Sequence, residues 1–455
     1  MKSRFFKLII SACIAAGAVF FSPAASEAQT SLSKRQSFQE QVQFNSALES
    51  GKDVSFAQVL SDPDNLQLNM AYAKTQIRHG DLKGASGTLE RMLRINPKLH
   101  ELRLFYAAVL YRLDNIAEAK MELQKLEGVK LPEKSAKEKQ ELKRLIAIRE
   151  KTYTLNAQIS AGIVQDSNRN SFPEDETIVY PNGATLKFEG EEKKDKSVIG
   201  IAAVNFERKT GLYGQNSLLL GGSYYMSKQD ELSDLDMGIT TLSGGFRMAG
   251  RTSMLTPQIV YNNLKLDGDS YLDTYGGSLK LDKLLNKKNI AFAEARYLKQ
   301  DYKNSSSHQN NKDRSGSTYG GSLGLKHIIN SGMTFEIEGS ALVKDTDNDS
   351  YDTNTYGLTA RHFWLLGKNT YLLSSLSASQ ESYCNNPENL YEILVSQGKK
   401  RKDTAIRGAL TFGMPIYKSF SLSLAYEYYR NLSNIQIYKY TNHKMTGMLN
   451  WKFSM

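Results

Sequence analysis

Met333-Thr334-Phe335-Glu336-Ile337-Glu338-Gly339-Ser340-Ala341-Leu342-Val343-Lys344 is the stretch that decides the fold of this chain. In an extended strand Met333, Phe335, Ile337, Gly339, Ala341 and Val343 share one face, and Thr334, Glu336, Glu338, Ser340 and Lys344 share the other. Strands of soluble sheets usually run to about five or six residues. This one is far longer, and its apolar face is tall and backed by charge. Such a ribbon suits a wall with hydrocarbon on one side and water on the other.

The same texture extends over residues 153–455, where Ser, Thr, Gly, Tyr and Asn replace the helix formers found upstream. Fourteen strands are predicted, at 154–166, 196–209, 215–228, 236–249, 253–266, 271–283, 288–302, 315–328, 332–345, 351–364, 369–382, 402–414, 418–430 and 441–454. Ile406, Gly408, Leu410, Phe412 and Met414 make one apolar face; Phe420, Leu422, Leu424, Tyr426 and Tyr428 make another; Leu449, Trp451, Phe453 and Met455 end the chain. Alternation blurs in the fourth and fifth segments, and Pro257 inside the fifth predicts a bulge or register change. Connections after even-numbered segments are short, such as Leu284–Lys287 and Leu365–Lys368. Those after odd-numbered segments are long, with extremes at 167–195 and 383–401. Tight turns on one side, long loops on the other and an even strand count are the marks of an outer-membrane barrel. Tyr213, Tyr302, Tyr351, Trp364, Tyr371, Tyr428 and Trp451, near strand ends, are candidates for interfacial aromatic girdles. Pairs such as Gly244-Gly245 and Gly276-Gly277 read as aids to curvature.

Residues 1–28 read as a secretory signal peptide. Lys2, Arg4 and Lys7 precede an apolar run from Leu8 to Phe21, and Ser26-Glu27-Ala28 offers a cleavage site. Ile10-Ser11-Ala12-Cys13 resembles a lipoprotein cleavage box, but the apolar run continues past it. Loss of three positive charges and one negative lowers the net charge from +10 to +8. The bases are scattered and the chain is exported, so nucleic acid is not an expected partner. The other cysteine is Cys384, so no internal disulfide is expected. Residues 29–61 form a polar segment with room for one amphipathic helix, with Gly51 as a stop.

Across residues 62–152 a 34-residue period appears. Tyr72 aligns with Tyr106, Ala73 with Ala107, Arg78 with Arg112, Asp81 with Asn115, Ala85 with Ala119, and Leu89 with Leu123. Small alanines allow two helices to approach, Gly80-Asp81 and Asp114-Asn115 mark turns, and Asn96-Pro97 and Leu131-Pro132 end the units. The pattern resembles the tetratricopeptide repeat, with Asn69 and Gln76 at its usual tryptophan and tyrosine positions. Glu133 to Lys151 reads as a capping helix. Lys74, Arg78, Tyr111 and Arg112, on the first helix of each unit, are the candidate client-binding residues; a plain solvated face is the competing reading.

No catalytic, cofactor or metal site is expected, and the protein is not expected to be an enzyme. Histidines 79, 100, 308, 327, 362 and 443 have no metal-ligand spacing. Asp345-Thr346-Asp347-Asn348-Asp349 begins like a calcium loop but lacks its glycine and distal glutamate. The inferred lumenal residues Glu294, Arg296, Glu336, Glu338, Lys344 and Arg407 are mixed in sign.

The fold class expected is therefore α+β in two domains: tetratricopeptide-like helices, then a fourteen-stranded antiparallel transmembrane barrel at 153–455. From about Asp62 onward, the domain order, strand count and length resemble the Slam family, the surface lipoprotein assembly modulators. The resemblance implies an outer-membrane protein with its helical domain in the periplasm. It would deliver particular exported proteins or lipoproteins, including haem- and metal-acquisition proteins, to the cell surface. Its partners would be that client, outer-membrane lipid, the barrel-insertion machinery and periplasmic chaperones. An exopolysaccharide export porin, and a structural or small-solute barrel with a protein-binding module, are the alternatives.

Overall fold

The computed structural model describes residues 52–150, 152–180, 182–187, 190–210, 216–250, 252–305, 309–388 and 390–455, without the side chains at 148 and 390–392. The signal peptide with Cys13, residues 29–51 of the polar segment, Tyr213 and His308 lie outside the described residues. The chain divides between Thr152 and Tyr153 into two compact units.

The helical unit holds α1 (Phe56–Ser61), α2 (Leu66–Arg78), α3 (Leu82–Ile95), α4 (His100–Arg112), α5 (Ile116–Gln124) and α6 (Glu133–Glu150). Helices α2 and α4 start and stop 34 residues apart (66 and 100, 78 and 112). Their turns repeat too. Gly80 and Asp114 take positive φ, +82° and +64°. The Asp81 N–H donates to the Gln76 carbonyl at 2.8 Å, and the Asn115 N–H to that of Leu110 at 2.9 Å. Ala73, Ala85, Ala107 and Ala119 are all 0 % exposed, so each small side chain is a point of close helix approach. Helix α1 stands before the Asp62 boundary yet belongs to this unit. Ser55 and Gln58 form its capping box, and Phe56 lies 5.8 Å from Tyr72, ring to ring. A six-residue helix is too short to show a period.

Polar side chains peg each first helix to the proline turn before it. Buried Asn69 donates to the Pro63 and Asn65 carbonyls, both at 2.8 Å, and accepts from Arg91 at 2.6 Å. Thirty-four residues on, Arg103 donates to the Pro97 carbonyl at 2.7 Å and pairs with Glu122. Burial of these groups is tolerable because each has partners.

The second unit is a closed barrel of fourteen antiparallel strands. They are β1 (Tyr153–Asp166), β4 (Asp195–Thr210), β5 (Asn216–Gln229), β6 (Met237–Ala249), β7 (Ser253–Leu266), β8 (Asp269–Leu284), β9 (Asn289–Tyr302), β10 (Gly316–Asn330), β11 (Met333–Thr346), β12 (Thr353–Gly367), β13 (Thr370–Tyr383), β14 (Lys402–Tyr417), β15 (Phe420–Ser433) and β16 (Tyr440–Ser454). The first loop carries a separate hairpin, β2 (Thr177–Val179) with β3 (Thr185–Lys187), and the loop after β13 carries α7 (Leu390–Ser396). Neither was expected from the sequence. β1 closes on β16, from Asn156 opposite Ser454 to Asp166 opposite Lys444. A hydrogen-bonded run crosses this closure on the lumenal face. Gln158 donates to Ser160 and Ser160 to Asn450, both at 2.8 Å; Asn450 donates to Ser423 at 3.1 Å.

Several strands outrun their predicted ends. The last turn residues before β13 are Lys368 and Asn369, both at positive φ (+46° and +61°), as a two-residue hairpin turn demands. At Pro257 the expected register change does not occur. Gly245 pairs with Gln258, and pairing resumes at Met248 with Leu255 in the same register, so the ladder is interrupted without shifting. The girdle assignment needs correction at two positions. Tyr302 and Tyr371 are 2 % and 3 % exposed, because their strand parity turns them into the lumen. Trp364 and Trp451, 42 % and 37 % exposed, do face outward.

Candidate functional site

The lumenal wall is built by alternation. Every second residue of each strand points inward, and cross-strand pairing sets the inward charges side by side. Glu336 of β11 sits between Lys326 of β10 and Arg361 of β12, at 2.8 Å from each, and Arg361 also reaches Glu338 at 2.7 Å. Elsewhere Arg247 pairs with Glu207 at 2.6 Å, Arg296 with Glu294 at 3.3 Å, and Arg407 with Glu427 at 3.9 Å. The six lumenal residues read from the sequence all fall on this inward face by register. Five of the six pair with opposite charges, while Lys344 stands 5.3 Å from the centre of the Tyr302 ring, so these pairs make no single-signed stripe for steering an ion.

At the end bearing the long loops, the loops pack on one another. Ile178 of β2, Val395 of α7, and Ile435, Ile437 and Tyr438 between β15 and β16 form one buried cluster. Hydrogen bonds pin it: the Tyr180 hydroxyl to the Leu394 carbonyl at 3.0 Å, Gln397 to the Val179 carbonyl at 3.1 Å, and the Glu174 N–H to the Lys439 carbonyl at 2.8 Å. Below it Arg401 lies 3.4 Å from the centre of the Tyr438 ring and 5.0 Å from that of Tyr383. A second cluster joins Leu232, Leu235, Leu264, Leu266, Tyr271 and Tyr302, with Arg314 5.0 Å from the Tyr302 ring centre. Sequence reading missed both. The signal available was the run Ile435, Ile437 and Tyr438 in a loop with no strand to bury it.

In the helical unit the four candidate residues have different fates. Lys74 is half-buried, its Nζ 5.9 Å from the Phe105 ring centre. Arg78 donates from Nε to Asp53 Oδ1 at 2.9 Å and from Nη2 to Thr75 at 3.1 Å, so it clamps the segment ahead of α1. Hydrogen bonds from Arg78 and then His79 hold the Asp53 carboxyl below its ordinary value of 3.8. Tyr111, expected on an open face, is 5 % exposed. Arg149 of α6 stands 5.7 Å from its ring centre and pairs with Asp114 at 2.6 Å, because α6 packs across α4 and α5. Arg112 is half-buried. The four do not form one open patch.

Among the described residues, no group of three or more His, Cys, Asp or Glu is placed to hold a metal ion. The Asp345–Asp349 run instead ends β11 and starts a short turn, in which Asn348 accepts from the Ser350 N–H at 2.9 Å.

The chain is similar to solved outer-membrane barrels. OmpT of Vibrio cholerae matches over 67 % of this chain and 99 % of its own, at 4 % identity and a TM-score of 0.37. An anion-selective porin from Comamonas acidovorans matches over 66 % and 99 %, at 7 % identity and a TM-score of 0.38. OprD of Pseudomonas aeruginosa matches over 67 % and 95 %, at 8 % identity and a TM-score of 0.35. No curated protein matches the sequence. A family model described as surface lipoprotein assembly modifier matches residues 156–453, from β1 to the penultimate residue of β16. That match takes in all fourteen barrel strands, and the chain belongs to the surface lipoprotein assembly modifier family.

Proposed function

We propose that this outer-membrane barrel delivers specific client proteins, surface lipoproteins or secreted haem- and metal-acquisition proteins, to the cell surface. The observation that carries the reading is the family match across the whole barrel. In this reading the turn end faces the periplasm and the loop end faces outward, the usual arrangement of outer-membrane barrels. The helical unit, joined to β1 at that end, lies in the periplasm and receives the client. Lys74, Arg78, Tyr111 and Arg112 are its contact residues, with Asp53 and Arg149 displaced for Arg78 and Tyr111 to be reached. Helical repeats of this kind commonly present a concave face to another polypeptide. No nucleotide is needed for the step; client folding at the surface supplies the direction. Barrel-insertion machinery and periplasmic chaperones are the further partners.

Deletion of the gene followed by surface proteomics tests this. Loss of one or a few surface or secreted proteins, with surface polysaccharide unchanged, is the expected result. Loss of polysaccharide with the protein profile intact would instead identify a sugar-export porin.

A further inference from the structure

Charge is sorted unevenly on the outward face of the barrel near its loops. From β14 round to β5, the outward strand positions within four residues of the loop ends hold Lys402, Arg430, His443, Lys196 and Lys228, and no acid. From β6 to β13 the same zone holds Asp273, Asp301 and Asp345 against Lys265 and Lys299. Partners follow the same division. Lys303, just past β9, lies 3.3 Å from Asp273 and 2.5 Å from Asp301. Among the described residues Lys196, Lys228 and Lys402 have no acidic side chain within 4 Å, and Arg430 has Glu174 at 3.6 Å. Lys196, Lys228, Lys402 and His443 are exposed, and the Arg430 side chain is 43 % exposed. Each shares its strand face with an apolar side chain turned outward: Val198, Tyr224, Leu410, Leu424 and Met445 are 47–61 % exposed.

Tyrosines fix the depth of these cations. Tyr224, Tyr261, Tyr275, Tyr297, Tyr356 and Tyr426 are 40–63 % exposed on the outward face, three to seven residues from the loop ends of their strands. Rings so placed mark the membrane–water interface. Arg430 lies two residues beyond Tyr428, and Lys228 four beyond Tyr224, toward the loops. At about 3.3 Å per residue, that carries the charges past the rings and into the headgroup layer. The molecules standing there are lipids, and the anions they present are phosphates. Guanidinium and ammonium groups bind phosphate oxygens by charge-assisted hydrogen bonds. We infer that the arc from β14 to β5 binds the phosphate-bearing headgroups of outer-leaflet lipid. This rests on the outward placement of the loop end in the reading above. The opposite arc, where lysines share the zone with three aspartates, lacks the excess of positive charge to do so.

The test is native mass spectrometry of the full chain in detergent micelles, titrated with bisphosphorylated lipid A and, separately, with its dephosphorylated form. The phosphorylated lipid is expected to bind more than about tenfold more tightly. Arg430→Gln should weaken it about fivefold, and Arg430→Gln with Lys196→Gln, Lys228→Gln and Lys402→Gln more than about tenfold. Lys265→Gln with Lys299→Gln, on the opposite arc, should stay within about twofold. Equal binding of the two lipids, or equal losses from the two arcs, overturns the proposal. Full displacement by inorganic phosphate also overturns it, by showing a site for free anions. Folding is judged by heat-modifiable gel migration. Lys402→Gln alone, at an exposed strand end, carries the test should the fourfold variant fail to fold. An epitope inserted at Gly183, between β2 and β3, separates this inference from the reading beneath it. An epitope hidden on intact cells defeats the outward placement of the loops. A displayed epitope without phosphate preference defeats only the headgroup site.

Discussion

Leu60 in helix α1 and Leu376 in strand β13 are each 61 % exposed, yet they stand in different solvents. In the helical unit apolar side chains are gathered inward, around alanines with no exposure at all, and the surface is charged. In the barrel the order is reversed: Ile259, Leu323 and Leu376 are 61–70 % exposed on the outside, while Glu336, Arg361 and Lys326 pair within. The same hydrophobic effect builds both, because hydrocarbon takes the place of a core on the barrel's outer face. Exposure therefore carries no meaning until the surrounding medium is known.

The largest expected effect follows from that pair. Leu376→Arg should destabilise the folded barrel in liposomes by about 3 kcal/mol, as a cation placed in mid-membrane does. Leu60→Arg should stay within about 0.5 kcal/mol, as an aqueous surface change does. Denaturant titration of both variants checks the contrast, and equal effects would break the comparison. Next comes packing. Ala107→Leu, at a fully buried helix contact, should cost about 2 kcal/mol by overfilling. Gly408→Ala on the outer face of β14 should cost almost nothing, since its Cβ would meet no atom within 4 Å. Thermal melting monitored separately by helical and strand ellipticity separates the two.

A smaller effect belongs to the barrel's closure. Asn450→Ala leaves Ser160 and Ser423 without their shared partner and should cost about 1 kcal/mol, read as a lower unfolding midpoint for the barrel alone. The smallest effect is in the helical unit. The Asp53 carboxyl titrates below 3.8 when folded, so its clamp on Arg78 is fully present above that pH. Its contribution is lost as the pH falls through the lowered folded value. Asp53→Asn should flatten that acid limb and leave melting near neutral pH only slightly changed.

Much of both units could be read along the chain. The alternation in residues 333–344 gave the outward and inward faces of β11 correctly, and the 34-residue period anticipated the matching ends of α2 and α4. The candidate site was read less well. Tyr111 has the spacing of a groove residue, but α6 covers it, and no property of residues 100–112 announces that. Arg78 has the position of an open groove residue in the sequence, because its partner, Asp53, lies 25 residues earlier in the chain.

Periodicity is a local property, set by the 3.6-residue and two-residue repeats of the backbone, so the sequence alone determined the repeat helices, the fourteen wall strands and the two faces of β11. Only the tertiary structure decided what non-local contacts control. These are the contacts by which Ile178 and Tyr438 meet between the loops. They also include the Ser160–Asn450 bond that closes the wall across 290 residues. Each joins residues distant along the chain, and no short-range pattern encodes which of them will meet.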